Sequence, residues 1–431
     1  MLHDNYSINE KGNFVLGGCD TVELAKKYGT PLYVIDENKI RESVRLYIGA
    51  MKRHFTENST IHYASKALCV KGVYRILKQE GAHTDVVSLG ELFTAKAAGF
   101  DLKNVAIHGN NKTDFDLETA VKEGVGEVVV DSFEELERLD EIAGELGKKQ
   151  AVLLRVTPNI DCHTLKAIST GQLDSKFGTP IETGQAIKLV ALALEKKNLE
   201  LLGFHCHCGS QVFEVQPFID QAEVMLNFMA DVKEKLGFEA SIIDLGGGFG
   251  VRYTENDPYI DIEKNIEQIS QRIKKVCADK GLKMPDIIME PGRSIVASAG
   301  ITLYTVGSVK EIEGYRTYVS IDGGMTDNPR YALYGSKYEV LIANKANKPK
   351  DIVCTVAGRC CESGDLIGEG MKLQSTKRGD ILAVLVTGAY NYAMASNYNR
   401  IPRPAMVFVN NGKETLAVQR ETFEDLYSKD V

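Results

Sequence analysis

From about residue 60 to 290, short β-branched runs alternate with amphipathic helical patterns. The runs are TIHYA (60–64), TDVV (84–87), VAIH (105–108), EVVVD (127–131), AVLLRV (151–156), LLGFH (201–205), SIIDL (241–245) and DIIME (286–290). Each has the length of a buried strand. Between them, Val70, Val73, Ile76 and Leu77 recur at helical spacing with Gly81 as a stop. Ser132 with Glu135 reads as a capping box, opening a helix whose apolar stripe is Leu136, Leu139, Ile142 and Leu146. Eight strands alternating with helices over about 230 residues predict an α/β fold, a (β/α)8 TIM barrel, with an open doubly wound sheet as the alternative.

After Ser294 the helical period fades. TLYTVGSV, TYVSID, YEVLIAN, IVCTVAG, ILAVLVTG, AMVFVN and ETLAVQ follow at short intervals, separated by Gly, Asn, Asp and Pro. This predicts a C-terminal all-β domain, sandwich or barrel. PLYVID (31–36) fits either domain.

Composition narrows the class of protein. With 431 residues, 44% hydrophobic and 26% charged, the chain reads as a soluble globular protein of two domains. A formal net charge of −8 supplies no basic footprint for nucleic acid. MLHDNYSINEKG has no apolar run, so no signal peptide is expected. No stretch approaches the ~18 apolar residues of a membrane helix. Nine cysteines without a CxxC pair suit a reducing cytoplasm better than a disulfide framework.

In a (β/α)8 barrel, reactive groups sit at the C-terminal ends of the strands. There the chain places Lys66, Ser88, His108, Arg155, His205, His207, the glycines of DLGGGFG and Glu290 to Arg293. Alone, Lys66 reads as a surface lysine; in that company it reads as chemistry. Gly246 to Gly248 let backbone N–H groups converge on an anion, with Ser210 and Arg293 on the same face. No Gly-Lys-Ser/Thr follows and no Rossmann unit surrounds the loop, so a single small phosphate is expected, not a nucleotide. His205 and His207 share one strand face, as two zinc ligands would, but no plain third ligand accompanies them. His207 can instead lay its imidazole on a planar cofactor. A lysine, a phosphate nest and an acid on one rim point to pyridoxal 5'-phosphate (PLP). Lys66 would bind its aldehyde, and Glu290 would keep its ring nitrogen protonated.

YASKA, the HCHCGSQ segment, GGGFG, EPGR, GRCCESGD and TGAYNYAMASNYN, in that order, resemble the diaminopimelate decarboxylases, of the alanine-racemase-like, fold type III PLP enzymes. The resemblance runs from about residue 21 to 409. It implies a PLP-binding barrel over 36–298 and a β domain from 1–35 and 299–431, with PLYVID as the crossing. It implies Lys66 as the cofactor lysine, His207 against the ring, and Glu290 on the ring nitrogen. Ser210, Gly247, Gly248, Gly292 and Arg293 become phosphate or backbone contacts. Cys361 becomes the proton donor and Glu362 the substrate-reading acid, both given across a homodimer interface. Arg330, Tyr334 and Arg293 become substrate-carboxylate contacts, and Tyr390 a contact of cofactor and substrate. The chain departs from the family at Arg359, Cys208, Tyr331 and Asn391, none of which removes a group the mechanism uses.

The implied reaction is decarboxylation of meso-2,6-diaminopimelate to L-lysine, the last step of lysine biosynthesis. The far end of that substrate is an amino acid, which two arginines and an acid suit. A decarboxylase of ornithine, arginine or carboxynorspermidine type would not need the carboxylate clamp. A racemase would face the ring nitrogen with arginine. A non-catalytic PLP-binding protein would have no use for Cys361 and Glu362. The stretch LKAISTGQLDSKFG (165–178) is long enough between strands to suggest a lid.

Overall fold

The computed structural model describes residues 2–160 and 174–431, so most of the candidate lid lies outside the described residues. The chain divides into two compact units. One comprises Ser43–Gly250 and Tyr259–Gly292; the other comprises Met1–Glu42, Val251–Pro258 and Arg293–Val431.

The first unit is a closed parallel barrel. Its strands are β1 (Thr60–Ala64), β2 (His83–Val86), β3 (Val105–Ile107), β4 (Glu127–Val130), β5 (Gln150–Thr157), β6 (Leu199–His205), β7 (Ile242–Asp244) and β8 (Asp286–Met289). They pair in the order β5-β6-β7-β8-β1-β2-β3-β4, and β4 pairs back to β5 to close the ring. A two-residue strand, Thr179–Pro180, adds to β5. Val129, Leu153 and Ile288 pack inside, with Leu202 and Ile242 against them. These branched side chains form a packed core inside the barrel.

Helices follow the strands for reasons visible in their ends. Lys71–Glu80 buries Val73, Tyr74, Ile76 and Leu77 and stops at Gly81 in the left-handed conformation. Phe133–Glu145 is capped by Ser132, whose hydroxyl accepts from the Glu135 N–H at 3.2 Å. The expected capping box is only half formed. The Glu135 carboxylate turns to Lys112, 2.8 Å away, in a buried ion pair. Lys112 Nζ also donates to the carbonyls of Gly109 and Val129, both at 2.8 Å, which ties down the loop after β3.

The second unit is β-rich. Its main sheet runs Leu366–Leu373, Ile352–Ala357, Arg316–Ile321, Gly300–Ile312, Leu32–Asp36, Ala405–Asn410 and Lys413–Val418. Ile381–Val384 pairs with Gly300–Ile312 and carries Val340–Ile342 beside it. PLYVID thus belongs to this sheet, antiparallel to Gly300–Ile312 and parallel to Ala405–Asn410. Two elements escape the sequence pattern. Leu366–Leu373 is interrupted by Gly368, Glu369 and Gly370. A small sheet of Tyr6–Ile8, Phe14–Leu16 and Cys19–Asp20 has strands too short to show a period.

Candidate active site

The register of the barrel builds a polar floor. His205 pairs with Arg155 on one side and with Asp244 on the other, so three strands bring polar side chains to one level. Glu290 follows the end of β8, and its N–H donates to the Gly246 carbonyl at 2.8 Å. His205 Nε2 lies 3.3 Å from Glu290 Oε2 in hydrogen-bond geometry, and His108 Nε2 lies 3.0 Å from Oε1. Burial alone would raise the Glu290 carboxyl. The two imidazoles outweigh it and hold Glu290 well below the usual carboxylate range. Burial pushes His205 down to about 4 and lowers His108, so both rings are neutral near pH 7. Asp244 is pushed well above the carboxylate range by burial and by the Glu290 charge. One negative charge therefore serves two carboxyl groups.

Ligand atoms of His108, His205, Asp244 and Glu290 lie within 4.8 Å of one another, a spacing one cation can bridge. The bonding favours proton sharing instead. A metal-binding imidazole anchors its outer nitrogen to an acceptor, and His205 Nδ1 has no partner among the described residues.

Lys66 sits just past β1 in a single turn, Ser65–Ala67, whose flanking residues are buried while Lys66 is exposed. Ser65 Oγ lies 2.9 Å from Thr84 Oγ1 and accepts from the Tyr74 hydroxyl at 2.8 Å, which fixes the turn. The MEPGR loop presses on the same turn: the Ala64 N–H donates to the Pro291 carbonyl at 3.2 Å, and a Cβ at Gly292 would meet the Ala64 Cβ at 2.8 Å. The glycine loop after β7 pairs with the segment after β6. Val212 N–H donates to the Gly248 carbonyl at 3.0 Å, and Gly250 N–H to the Val212 carbonyl at 2.8 Å. Ser210 thereby joins Gly247 and Gly248 on one wall. His207 is partly buried, and burial together with the nearby Lys66 charge lowers its imidazole well below the usual value. It is neutral and lies against the glycine loop, where a Cβ at Gly246 would stand 2.8 Å from its Nδ1. An amine, a neutral imidazole, a buried anion and a glycine cradle fit a phosphorylated aromatic aldehyde.

A second cluster forms in the β-rich unit. Arg293 Nη1 donates to the Tyr253 hydroxyl at 2.8 Å, and its guanidinium lies 4.7 Å from the Tyr390 ring centre. Arg330 approaches the same ring at 5.7 Å and the Tyr334 ring at 5.1 Å. Two buried guanidinium groups converge on one tyrosine, and Arg330 Nε has no hydrogen-bond partner among the described residues. Tyr390 holds a positive φ of 59°, uncommon for a bulky residue and characteristic of functional sites. The buried Asn391 is absorbed by this cluster: its Nδ2 donates to the Tyr338 hydroxyl at 3.2 Å, and Tyr338 packs edge-on to Tyr253 with centroids 5.4 Å apart.

Cys361 and Glu362 stand exposed on the loop between Ile352–Ala357 and Leu366–Leu373. Asp365 holds the loop's base by accepting the Cys360 N–H at 2.7 Å, and Asn399 Oδ1 accepts the Cys361 N–H at 2.8 Å.

Lys66, His207, Ser210, Gly247, Gly248, Glu290 and Gly292 therefore share the barrel rim. Arg293, Arg330, Tyr334 and Tyr390 share the β-rich unit. Ser88 belongs to neither: it caps the helix Leu89–Ala97. Residues the motifs did not flag are Asp85, buried beside the Lys66 charge, together with Asp244, Tyr253 and Tyr338. An acid closing an otherwise apolar strand was the available signal for Asp244; Asp85, inside His83–Val86, and the two tyrosines carried none.

Comparison with known proteins agrees with this geometry. Residues 38–297 match the pyridoxal-dependent decarboxylase family at its pyridoxal binding domain. The chain is 46% identical over 423 residues to a diaminopimelate decarboxylase of Bacillus methanolicus, covering 97% of each chain. It is 44% identical over 434 residues to that of Bacillus subtilis (strain 168), covering 100% of this chain and 98% of the other. The solved diaminopimelate decarboxylase of M. jannaschii in complex with L-lysine superposes with a TM-score of 0.93 at 36% identity, covering 100% of this chain and 98% of that one.

Proposed function

This chain belongs to the diaminopimelate decarboxylases, within the pyridoxal-dependent decarboxylase family, and we propose how its residues divide the work of that reaction. The reaction is PLP-dependent decarboxylation of meso-2,6-diaminopimelate to L-lysine and carbon dioxide. PLP supplies, when bound, an electron-accepting ring that takes up the electron pair of the breaking Cα–carboxylate bond.

Lys66 is the residue that would hold the cofactor aldehyde, and its amine would be replaced there by the substrate's. His207, neutral and flat, packs against the ring. Ser210, Gly247, Gly248, Gly292 and Arg293 hold the phosphate or approach the cofactor with backbone. Glu290 keeps a proton at the ring nitrogen, which its ionised state supports. Arg330 and Arg293, with Tyr334 and Tyr390, hold the carboxylate at the far end of the substrate, and Glu362 accepts from the ammonium there. The paired guanidinium groups favour a substrate with a second carboxylate over an ornithine-type one. Cys361 delivers the proton that replaces carbon dioxide at Cα.

The exposure of Cys361 and Glu362 supports a homodimer in which each chain lends them to its partner's site. Free thiols, with no helix of the described residues long and apolar enough to cross a membrane, support a cytoplasmic location.

One observation carries the reading: the Lys66 turn, the MEPGR loop and the glycine loop interlock backbone to backbone around the Glu290 anion. Borohydride reduction of the holoenzyme followed by peptide mapping tests it. The expected label is on Lys66, and a label on another lysine would defeat the assignment.

A further inference from the structure

His108 and His205 close on Glu290 from two strands of the barrel. Their Nε2 atoms lie 3.0 and 3.3 Å from the two carboxylate oxygens, one on each, and only the His205 contact is in hydrogen-bond geometry. Their rings pack edge to face, with centroids 4.9 Å apart and an interplanar angle of 74°. In a close-packed interior, one ring cannot turn without displacing the other. All three side chains are buried, with exposures of 5%, 1% and 8% for His108, His205 and Glu290.

The partners fix the proton position on His205. His205 Nδ1 has no partner among the described residues. That suits the tautomer with the proton on Nε2, because an unmatched lone pair is tolerated more readily than an unmatched N–H. Asp244 faces the same carboxylate while its Oδ1 accepts the Gly246 N–H at 2.8 Å. Arg155, Asp85, Glu127, His62, Cys206 and His207 are the other charged and titratable groups that feel Glu290.

We propose that His108 and His205 are positioning residues: His205, a neutral Nε2–H donor to one oxygen of Glu290, and His108, a neutral imidazole braced against the other, together keep this carboxylate charged and turned toward the cofactor's ring nitrogen. The proposal rests on the reading of Glu290 as the ring-nitrogen partner. Without the imidazoles, Glu290 would be a buried carboxylate beside another carboxyl group and would take up a proton itself. A protonated Glu290 can no longer hold the proton on the ring.

The test uses apoenzyme titrated with PLP, reading cofactor affinity at equilibrium and the absorbance of the bound coenzyme across pH. His205→Leu is expected to weaken cofactor binding about tenfold or more, the size of one lost hydrogen bond to a charged group. It should also shift the pH at which the coenzyme absorbance changes. His205→Gln places an amide N–H near the lost Nε2–H and is expected to recover most of both effects. Should His205→Leu fail to fold by circular dichroism, His108→Leu reads the other oxygen with the same expectation. Glu290→Gln separates the two levels of argument. If it moves neither affinity nor absorbance, the assignment of Glu290 itself is wrong. If Glu290→Gln moves both and the folded leucine variants move neither, the positioning role is wrong and the assignment stands. A folded His205→Gln enzyme as impaired as the leucine variant would likewise overturn the donor role.

Discussion

A methyl group placed on Gly247 would stand 2.0 Å from the carbonyl oxygen of Glu290. The loop after β7 and the strand end that carries the acid are therefore joined at a contact with no room for a side chain. Gly247→Ala must move one of them, at a strain of about 1–3 kcal/mol. The expected outcome is a folded barrel that retains cofactor at least several-fold more weakly, read by dialysis and residual PLP absorbance. Unchanged retention would show that the loop does not approach the cofactor.

Arg330 is buried between two tyrosine rings with its Nε unmatched. Arg330→Lys keeps the charge and loses the planar fork. The expected result is a rise in KM for diaminopimelate of about tenfold or more, with PLP absorbance unaltered. A change in cofactor binding with KM intact would move Arg330 from the substrate to the cofactor.

Cys361 can be assigned to a partner's site by complementation. Lys66→Ala and Cys361→Ala chains are each expected to be nearly inactive. Mixed and refolded together, they should regain up to about a quarter of wild-type activity, because half of the dimers are hybrids with one intact site. No recovery in confirmed hybrids would place Cys361 and Lys66 of one chain at the same site.

Asp327 is buried in the β-rich unit and pushed up to about 7, mainly by burial. Its oxygens accept from the Tyr304 hydroxyl, the Thr326 hydroxyl and the Gly324 N–H. Between pH 4 and 7 the unfolded chain gives up this proton and the folded chain keeps it, so this group's contribution to stability is lost as pH rises through that window. Asp327→Asn removes the dependence. The stability of Asp327→Asn relative to wild type should rise by up to about 1.4 kcal/mol per pH unit from pH 4 to 7 and then level off. Urea unfolding at a series of pH values measures it, and a flat difference would refute it.

The barrel was legible because its strands are buried on both faces and read as unbroken apolar runs, as in EVVV and DIIM. Leu366–Leu373 was not, because an edge-side strand carrying Gly368, Glu369 and Gly370 has no such run. The rim residues followed from the barrel, since the fold dictates which end of each strand is reactive. Arg330 and Tyr390 lie in a five-residue helix and a loop, where no period points inward. Only resemblance to a known family raised them. Glu135 shows the opposite failure: its local spacing suggested a cap, and a buried lysine from the loop after β3 claimed its side chain instead.

The single turn at Ser65–Ala67 has a consequence for turnover. Its backbone is pinned by hydroxyl contacts on one side and by the MEPGR loop on the other, while the four-carbon arm of Lys66 extends from it. In the role proposed for Lys66, an amine on such a fixed mooring would swing aside for an incoming substrate and return by bond rotations alone. Each catalytic cycle would then restart without any rearrangement of the polypeptide around it.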